Sequence, residues 1–361
     1  MKILYLLFSF TTGGTERLVA DICNEMVQRE HQVHLYIVND HYDRSMLDSL
    51  VPEVRVKLQN RAVGGRDKVK TLLALSRYIR ENGIEVIHCN SFGAPELLIL
   101  KPLFFSKTRI VHTIHDVGQY QKLGKNKRIL RNWLCHRFVA ISDCVKKDII
   151  SHGADAKKVV TIYNAIDLKR FAPRPPRPED GRIRIGNVAR IMPEKKGQDV
   201  LIRAVAQLCR KYPNLECVFA GEADEAHGQA LAQLKALCCQ LEIQDRVTFL
   251  GNVADVPGFL QTLDIFVLPS RYEGFGISLI EAMAMEIPCA ASALDGPAEI
   301  LDAGRYGTLF PCGEPEELAN KLDVMLTDLC RSRVRAKEAA GMVRSRFDIR
   351  TMCRELETQY N

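Results

Sequence analysis

Residues Glu273-Gly274-Phe275-Gly276-Ile277-Ser278-Leu279-Ile280-Glu281 set two carboxylates around a glycine turn. A Gly-x-Gly turn that opens a helix leaves backbone N–H groups facing an anion. The helix dipole then favours a phosphate at that end. Glu281 falls about one and a half turns into such a helix. A carboxylate behind a bound phosphate suits a bidentate grip on ribose hydroxyls. Glu273, ahead of the turn, can meet hydroxyls of whatever the phosphate carries. Two solvated surface glutamates would be the plain alternative, but Glu281 stands between Ile280 and Ala282-Met283 in a mostly apolar segment.

Fixed cations are the natural complement. Arg190 follows an apolar strand-like run, and Lys196 precedes Gly197 and a helical pattern, with Lys195 as a competitor. Two cations at one sheet edge can hold a diphosphate and stabilise it as it departs. Gly14 and Thr15 open the first helical pattern, so their N–H groups offer another approach to phosphate or sugar. His115, with Asp116 beside it, ends another strand-like run.

The elements that must position these groups alternate. In the first half, strand patterns at residues 2–8, 33–38, 54–58, 86–89, 109–114, 138–141 and 158–163 are interleaved with helical patterns at 15–30, 68–81 and 143–152. Strands at 183–188, 216–220, 247–250, 265–268, 289–291 and 308–310 follow, with helices at 199–211, 229–241, 277–285 and 316–327. Such alternation predicts parallel sheets covered on both faces by helices. At 361 residues the chain exceeds a single core of roughly 250–300 residues, so two domains are expected. Four prolines within residues 173–178 mark a spacer. The expected domains are 1–172 and 173–345, with a helix at about 346–361 packing back on the first. Ligands of doubly wound sheets bind at the carboxyl ends of the strands, so the two domains are expected to face each other across a cleft. No apolar run reaches the ~20 residues of a membrane span, and residues 3–8 read as a buried strand and not as a leader. The twelve cysteines are scattered, which fits small core residues in a reducing cytoplasm.

Here a resemblance appears. The Glu-x7-Glu segment is similar to the signature of the family-four retaining glycosyltransferases of GT-B fold. Gly13-Gly14-Thr15-Glu16 resembles their Gly-Gly-x-Glu loop, and His115-Asp116 their His-Asp. Asn164-Ala165-Ile166-Asp167 resembles their interdomain Asn-Gly-Ile-Asp, and Ala189-Arg190 to Lys196-Gly197 their Gly-Arg…Lys-Gly. The likeness runs from Ile3 to about Phe347. It implies two Rossmann-like domains, with acceptor bound by the first and nucleotide sugar by the second. It implies that Arg190 and Lys196 take the diphosphate, with Lys196 preferred over Lys195 because it directly precedes the glycine. Gly274, Phe275, Gly276 and Ile277 would supply the phosphate turn and Glu281 the ribose grip. Glu273 and His115 would meet the donor sugar, while Asn252 and Val253 would lie near the base. The implied reaction retains configuration through a same-face, oxocarbenium-like state, in which the departing phosphate helps deprotonate the acceptor. No Asp-x-Asp motif is present, so neither a metal nor a cofactor is expected beyond the donor itself. Ala165 and Ala189 replace usual glycines, Glu286 stands where glycine is common, and Asp295 replaces the first of two glycines near the donor sugar.

Charge is uneven. Residues 1–172 hold 27 basic and 17 acidic side chains, and the remainder holds 23 and 27. Within 121–138, Lys122, Lys125, Lys127, Arg128, Arg131 and Arg137 are interleaved with Ile129, Leu130, Trp133 and Leu134. This mixture fits an interfacial helix on anionic lipid, and so a lipid-linked glycan acceptor, although a solvated basic helix remains open. A peripheral position on the inner face of the cell membrane follows as an expectation. Residues 9–14 lack the Gly-x-Gly-x-x-Gly of a dinucleotide oxidoreductase, and no stacking-aromatic module suggests nucleic acid. A sugar-nucleotide epimerase or hydrolase on the same fold is the near alternative.

Overall fold

The computed structural model describes residues 1–63, 67–173, 180–223 and 228–361. The chain divides into two compact units, Met1–Ala165 with Ile349–Asn361, and Ile166–Asp348. The division precedes the expected proline boundary. Ile166 already belongs to the second unit, because its N–H donates to the Phe347 carbonyl at 3.0 Å and it bridges Asp348. All of the proline tract except Pro173 lies outside the described residues.

In the first unit seven strands form one parallel sheet. They are β1 (Lys2–Leu7), β2 (Gln32–Asn39), β3 (Arg55–Arg61), β4 (Val86–Cys89), β5 (Arg109–Ile114), β6 (Arg137–Ala140) and β7 (Val159–Thr161), in the order β3-β2-β1-β4-β5-β6-β7. The second holds six parallel strands, β8 (Ile183–Val188), β9 (Leu215–Ala220), β10 (Val247–Phe249), β11 (Ile265–Leu268), β12 (Cys289–Ser292) and β13 (Thr308–Phe310). Their order is β10-β9-β8-β11-β12-β13. Both are doubly wound α/β sheets. Central strands β1 and β11 are almost wholly buried, which is why they read as unbroken apolar runs. The strand order reverses between β1 and β4, and again between β8 and β11. Such switch points open a crevice at the carboxyl edge. Among the described residues, no helix is long and apolar enough to cross a membrane.

The helix Ile349–Tyr360 returns to the first unit through a polar thread. Tyr360 Oη lies 2.7 Å from His88 Nδ1 and 3.1 Å from Tyr5 Oη, and His88 Nε2 lies 2.6 Å from Thr113 Oγ1. Burial depresses the His88 pKa to about 3. The unfolded chain therefore takes up a proton below its ordinary value of ~6.5 that the folded chain refuses. Stability from this group is complete above that value and falls as pH drops from ~6.5 toward 3. At pH 5 the expected loss is about 2 kcal/mol. Urea unfolding at pH 7 and pH 5 of the wild type and of His88→Asn measures it: the variant's difference should be smaller by about that amount, the remainder belonging to the other depressed histidines such as His115.

Candidate active site

In the second unit, the switch point places the loop after β8 beside the loop after β11. Arg190 begins the first loop and is exposed. Its carbonyl accepts from Nε2 of the buried Gln198 at 2.8 Å, which fixes the backbone there. Gly221, at φ +138°, holds its Cα against this loop, where a Cβ would stand 1.9 Å from the Ala189 carbonyl oxygen. Farther along, the short helix Pro193–Lys196 ends at Gly197 with φ +66°.

Lys196 and Glu273 meet. Nζ donates to Glu273 Oε2 at 2.7 Å, and Ser270 Oγ donates to the same oxygen at 3.3 Å. Both side chains are mostly shielded, with exposures of 21% and 15%. A second clamp holds the two loops in register. Arg271 donates to Asp199 Oδ1 and Oδ2 at 2.6 and 2.8 Å and to the Pro193 carbonyl at 2.6 Å. Its backbone N–H donates to the Lys195 carbonyl at 2.8 Å. Sequence reading did not single out Gln198, Asp199 or Arg271. The adjacency of Lys196-Gly197-Gln198-Asp199 was its only local signal.

Gly274, Phe275 and Gly276 are buried, and Phe275 packs edge-on against Phe347 at 5.5 Å between ring centroids. Gly276, at φ +117°, caps the helix Ile277–Ala284, and Ile277 opens it. Glu281 lies half-buried in this helix. Gly296 sits close over the turn, since a Cβ there would lie 2.7 Å from the Gly274 carbonyl oxygen. Asp295 begins that neighbouring helix, Asp295–Ile300. Asn252 and Val253 follow the edge strand β10, two strands from β8. They stand at the same carboxyl edge as Lys196 and Glu273 but share no hydrogen bond with either.

In the first unit, Gly14 and Thr15 begin the helix Gly14–Gln28, capped by an extended Gly13 without a side-chain acceptor. Thr12 Oγ1 donates to Asp43 Oδ2 at 2.7 Å and ties the preceding loop. His115 follows β5 at the same carboxyl edge. Its Nε2 lies 3.4 Å from Asn90 Oδ1, and its Nδ1 is buried without a partner among the described residues. Burial lowers its pKa to about 4, against the opposing pull of Asp116. At neutral pH the ring is uncharged, so it can hydrogen-bond a neutral hydroxyl without adding a cation.

The basic stretch is corrected in one respect. Arg131 is 1% exposed and cannot belong to a surface patch. It donates to Glu96 at 2.8 Å and stacks over Phe92 at 4.1 Å. A guanidinium reaches this depth because a carboxylate and a ring face replace its water. Lys122, Lys125 and Lys127 are exposed, Arg128 is half-buried, and Trp133 is 62% exposed.

Comparison with known proteins completes the picture. Residues 12–170 match the family model Glycosyltransferase Family 4, and residues 169–341 match Glycosyl transferases group 1. The lipopolysaccharide core biosynthesis mannosyltransferase LpsB of Rhizobium meliloti (strain 1021) is 26% identical over 255 residues, or 69% of this chain and 70% of its own. The corresponding LpcC of Rhizobium leguminosarum bv. viciae is 28% identical over 208 residues, 55% of this chain and 58% of its own. Anabaena Alr3699/HepE, solved in complex with UDP and glucose, superposes with a TM-score of 0.84 at 22% identity, covering 99% of this chain and 98% of that one. With the two models together reaching from residue 12 to residue 341 over two doubly wound sheets, the chain belongs to the family-four glycosyltransferases and has the GT-B fold.

Proposed function

We propose that this glycosyltransferase moves a sugar from a nucleotide diphosphate, with a UDP-sugar favoured, to a glycan or lipid-linked glycan. The proposed setting is lipopolysaccharide or other cell-surface polysaccharide synthesis. The observation carrying it is the Lys196–Glu273 contact beside the Gly276-capped helix that contains Glu281. In this reading the N–H groups at Gly276 and Ile277 receive the phosphates, and Glu281 grips the ribose. Arg190 and Lys196 neutralise the diphosphate as it leaves. Glu273, tied to a cation and to Ser270, is a weak nucleophile and a good acceptor for sugar hydroxyls. That supports retention by same-face substitution over a covalent enzyme intermediate. The oriented Lys196, with Arg190 beside it on the same loop, also supports a reaction without a resident metal. The names of LpsB and LpcC favour a lipopolysaccharide acceptor, and the HepE complexes favour UDP. The mannosyl specificity in the relatives' names makes the sugar the variable to measure. For the acceptor side, the exposed Lys122, Lys125 and Lys127 support contact with an anionic membrane surface on the cytoplasmic face.

Purified protein with UDP-, GDP- and ADP-sugars provides the test, read by thermal shift and by release of nucleotide diphosphate. One donor should stabilise the wild type but neither Glu281→Ala nor Arg190→Ala. Absence of binding and hydrolysis with every donor would remove the reading. The anomeric configuration of the product, read by NMR, tests retention. Free sugar or an epimer without acceptor would favour the hydrolase or epimerase alternative. EDTA should leave turnover unchanged within about twofold if the two cations suffice, whereas a loss restored by a divalent metal would overturn metal independence.

A further inference from the structure

The amino edge of the seven-stranded sheet, away from Gly14 and His115, gathers cations of its own. Arg109 opens β5, Arg137 opens β6, and Lys158 directly precedes β7. The register sets Lys158 beside Arg137, about 4.8 Å across the strands, while Arg109 lies two residues nearer the amino end than Val111, the partner of Arg137. With His136, Trp133 and Asn361 they line a cavity of about 410 Å³.

The donors in this cavity are partly fixed and partly unspent. Lys158 Nζ donates to the Cys135 carbonyl at 3.0 Å and to the Asn132 carbonyl, which anchors the ammonium in the wall. Arg137 donates to the His136 carbonyl at 3.2 Å through a single nitrogen. Neither Arg109 nor Arg137 pairs with a carboxylate among the described residues. The N–H of Ile110 donates to His136 Nδ1 at 3.0 Å. A ring nitrogen that accepts from an amide carries no proton, so the neutral ring bears its N–H on Nε2. Burial lowers the His136 pKa, and the charges of Lys101, Lys158, Arg109 and Arg137 lower it further. That response registers a concentrated positive field. At the rim, Trp133 is 62% exposed, and Ile129, one helical turn earlier, is 58% exposed. Residues four apart on a helix share a face.

We propose that this pocket binds a phosphate group, separately from any nucleotide-sugar site. The Arg109 and Arg137 guanidiniums grip its oxygens in their fork geometry, and His136 Nε2–H donates to it. The phosphate comes from a soluble phosphorylated compound or from the headgroup of an anionic lipid. In the second case Trp133 and Ile129 enter the interfacial layer of the bilayer.

Trp133 is the single tryptophan of the chain, so its emission reports on the pocket directly. The titrants are inorganic phosphate, with sodium chloride holding ionic strength constant, and vesicles of phosphatidylcholine with or without phosphatidic acid. The expected result is a saturable emission change with phosphate, or a blue shift confined to phosphatidic-acid vesicles. The first outcome assigns a soluble source and the second a lipid headgroup. Arg109→Gln with Arg137→Gln should weaken binding by about tenfold or more, since two charge-assisted contacts are lost. Both arginines are exposed at strand starts, so the variant retains its core. Lys68→Gln with Lys70→Gln removes the same charge from an exposed part of another helix and should leave binding unchanged. Three outcomes overturn the proposal: no response to either titrant, an equal response to chloride alone, or equal weakening in both double variants.

Discussion

Lys196→Ala is expected to lower kcat/KM for glycosyl transfer by about 10²–10³-fold, the usual consequence of removing one preorganised charge stabiliser. Lys196 Nζ sits 2.7 Å from Glu273, which orients the ammonium in a partly desolvated place. In the proposed reaction its charge matters most when the diphosphate takes up negative charge in the transition state. Stability should change little. The pair is mostly shielded but keeps 21% and 15% exposure, and Ser270 still donates to Glu273, so its loss should cost about 1 kcal/mol, or about 2–4 °C in a domain of this size. Steady-state kinetics and thermal unfolding on the same preparation separate the two effects. Glu273→Gln should also reduce turnover. The double variant should lose less than the product of the single losses, because contacting groups are coupled. Retention of more than about a tenth of wild-type kcat/KM by Lys196→Ala would remove Lys196 from the transition state.

Sequence made the sheets legible for a simple reason. Strands buried on both faces must be apolar throughout, and residues 2–8 and 265–268 announce themselves that way. The glycine turn at Gly276 was equally readable, because its left-handed backbone leaves few alternatives. Short helices such as Val256–Gln261 and Asp295–Ile300 escaped, since six residues do not display a 3.6-residue period. The larger misreading was Arg131. Its periodic neighbours made it look like one more surface cation, while its partner Glu96 lies 35 residues away in sequence. The Arg271–Asp199 clamp was invisible for the same reason, with 72 residues between its members. Local pattern reports which face an element hides. It does not report which distant charge comes to meet a buried one.

Gly197→Ala tests the link between that clamp and the chemistry. Gly197 ends one helix and begins the next with φ +66°, where an L side chain costs about 1–2 kcal/mol. Space adds to conformation: its Cβ would stand 1.9 Å from the Pro269 carbonyl oxygen and 2.9 Å from the carbonyl carbon. These are backbone atoms, so no rotamer change relieves the overlap and the loops must part. The expected destabilisation is about 3 kcal/mol or more, read by urea unfolding of the second unit. Gly313→Ala is the matched comparison. It has φ +82° with nothing within 4 Å, so it should cost only the conformational part, about 1–2 kcal/mol. Separation of the loops would pull Lys195 from the Arg271 N–H and carry Lys196 off Glu273. A displacement of about 1 Å is enough for a 10²-fold loss of turnover in a positioned site. Gly197→Ala should therefore resemble Lys196→Ala kinetically although it removes no charge. Wild-type kinetics in a destabilised Gly197→Ala enzyme would show that the loops move without the chemistry. Unchanged stability would place the backbone at Pro269 under less constraint than the 1.9 Å approach requires.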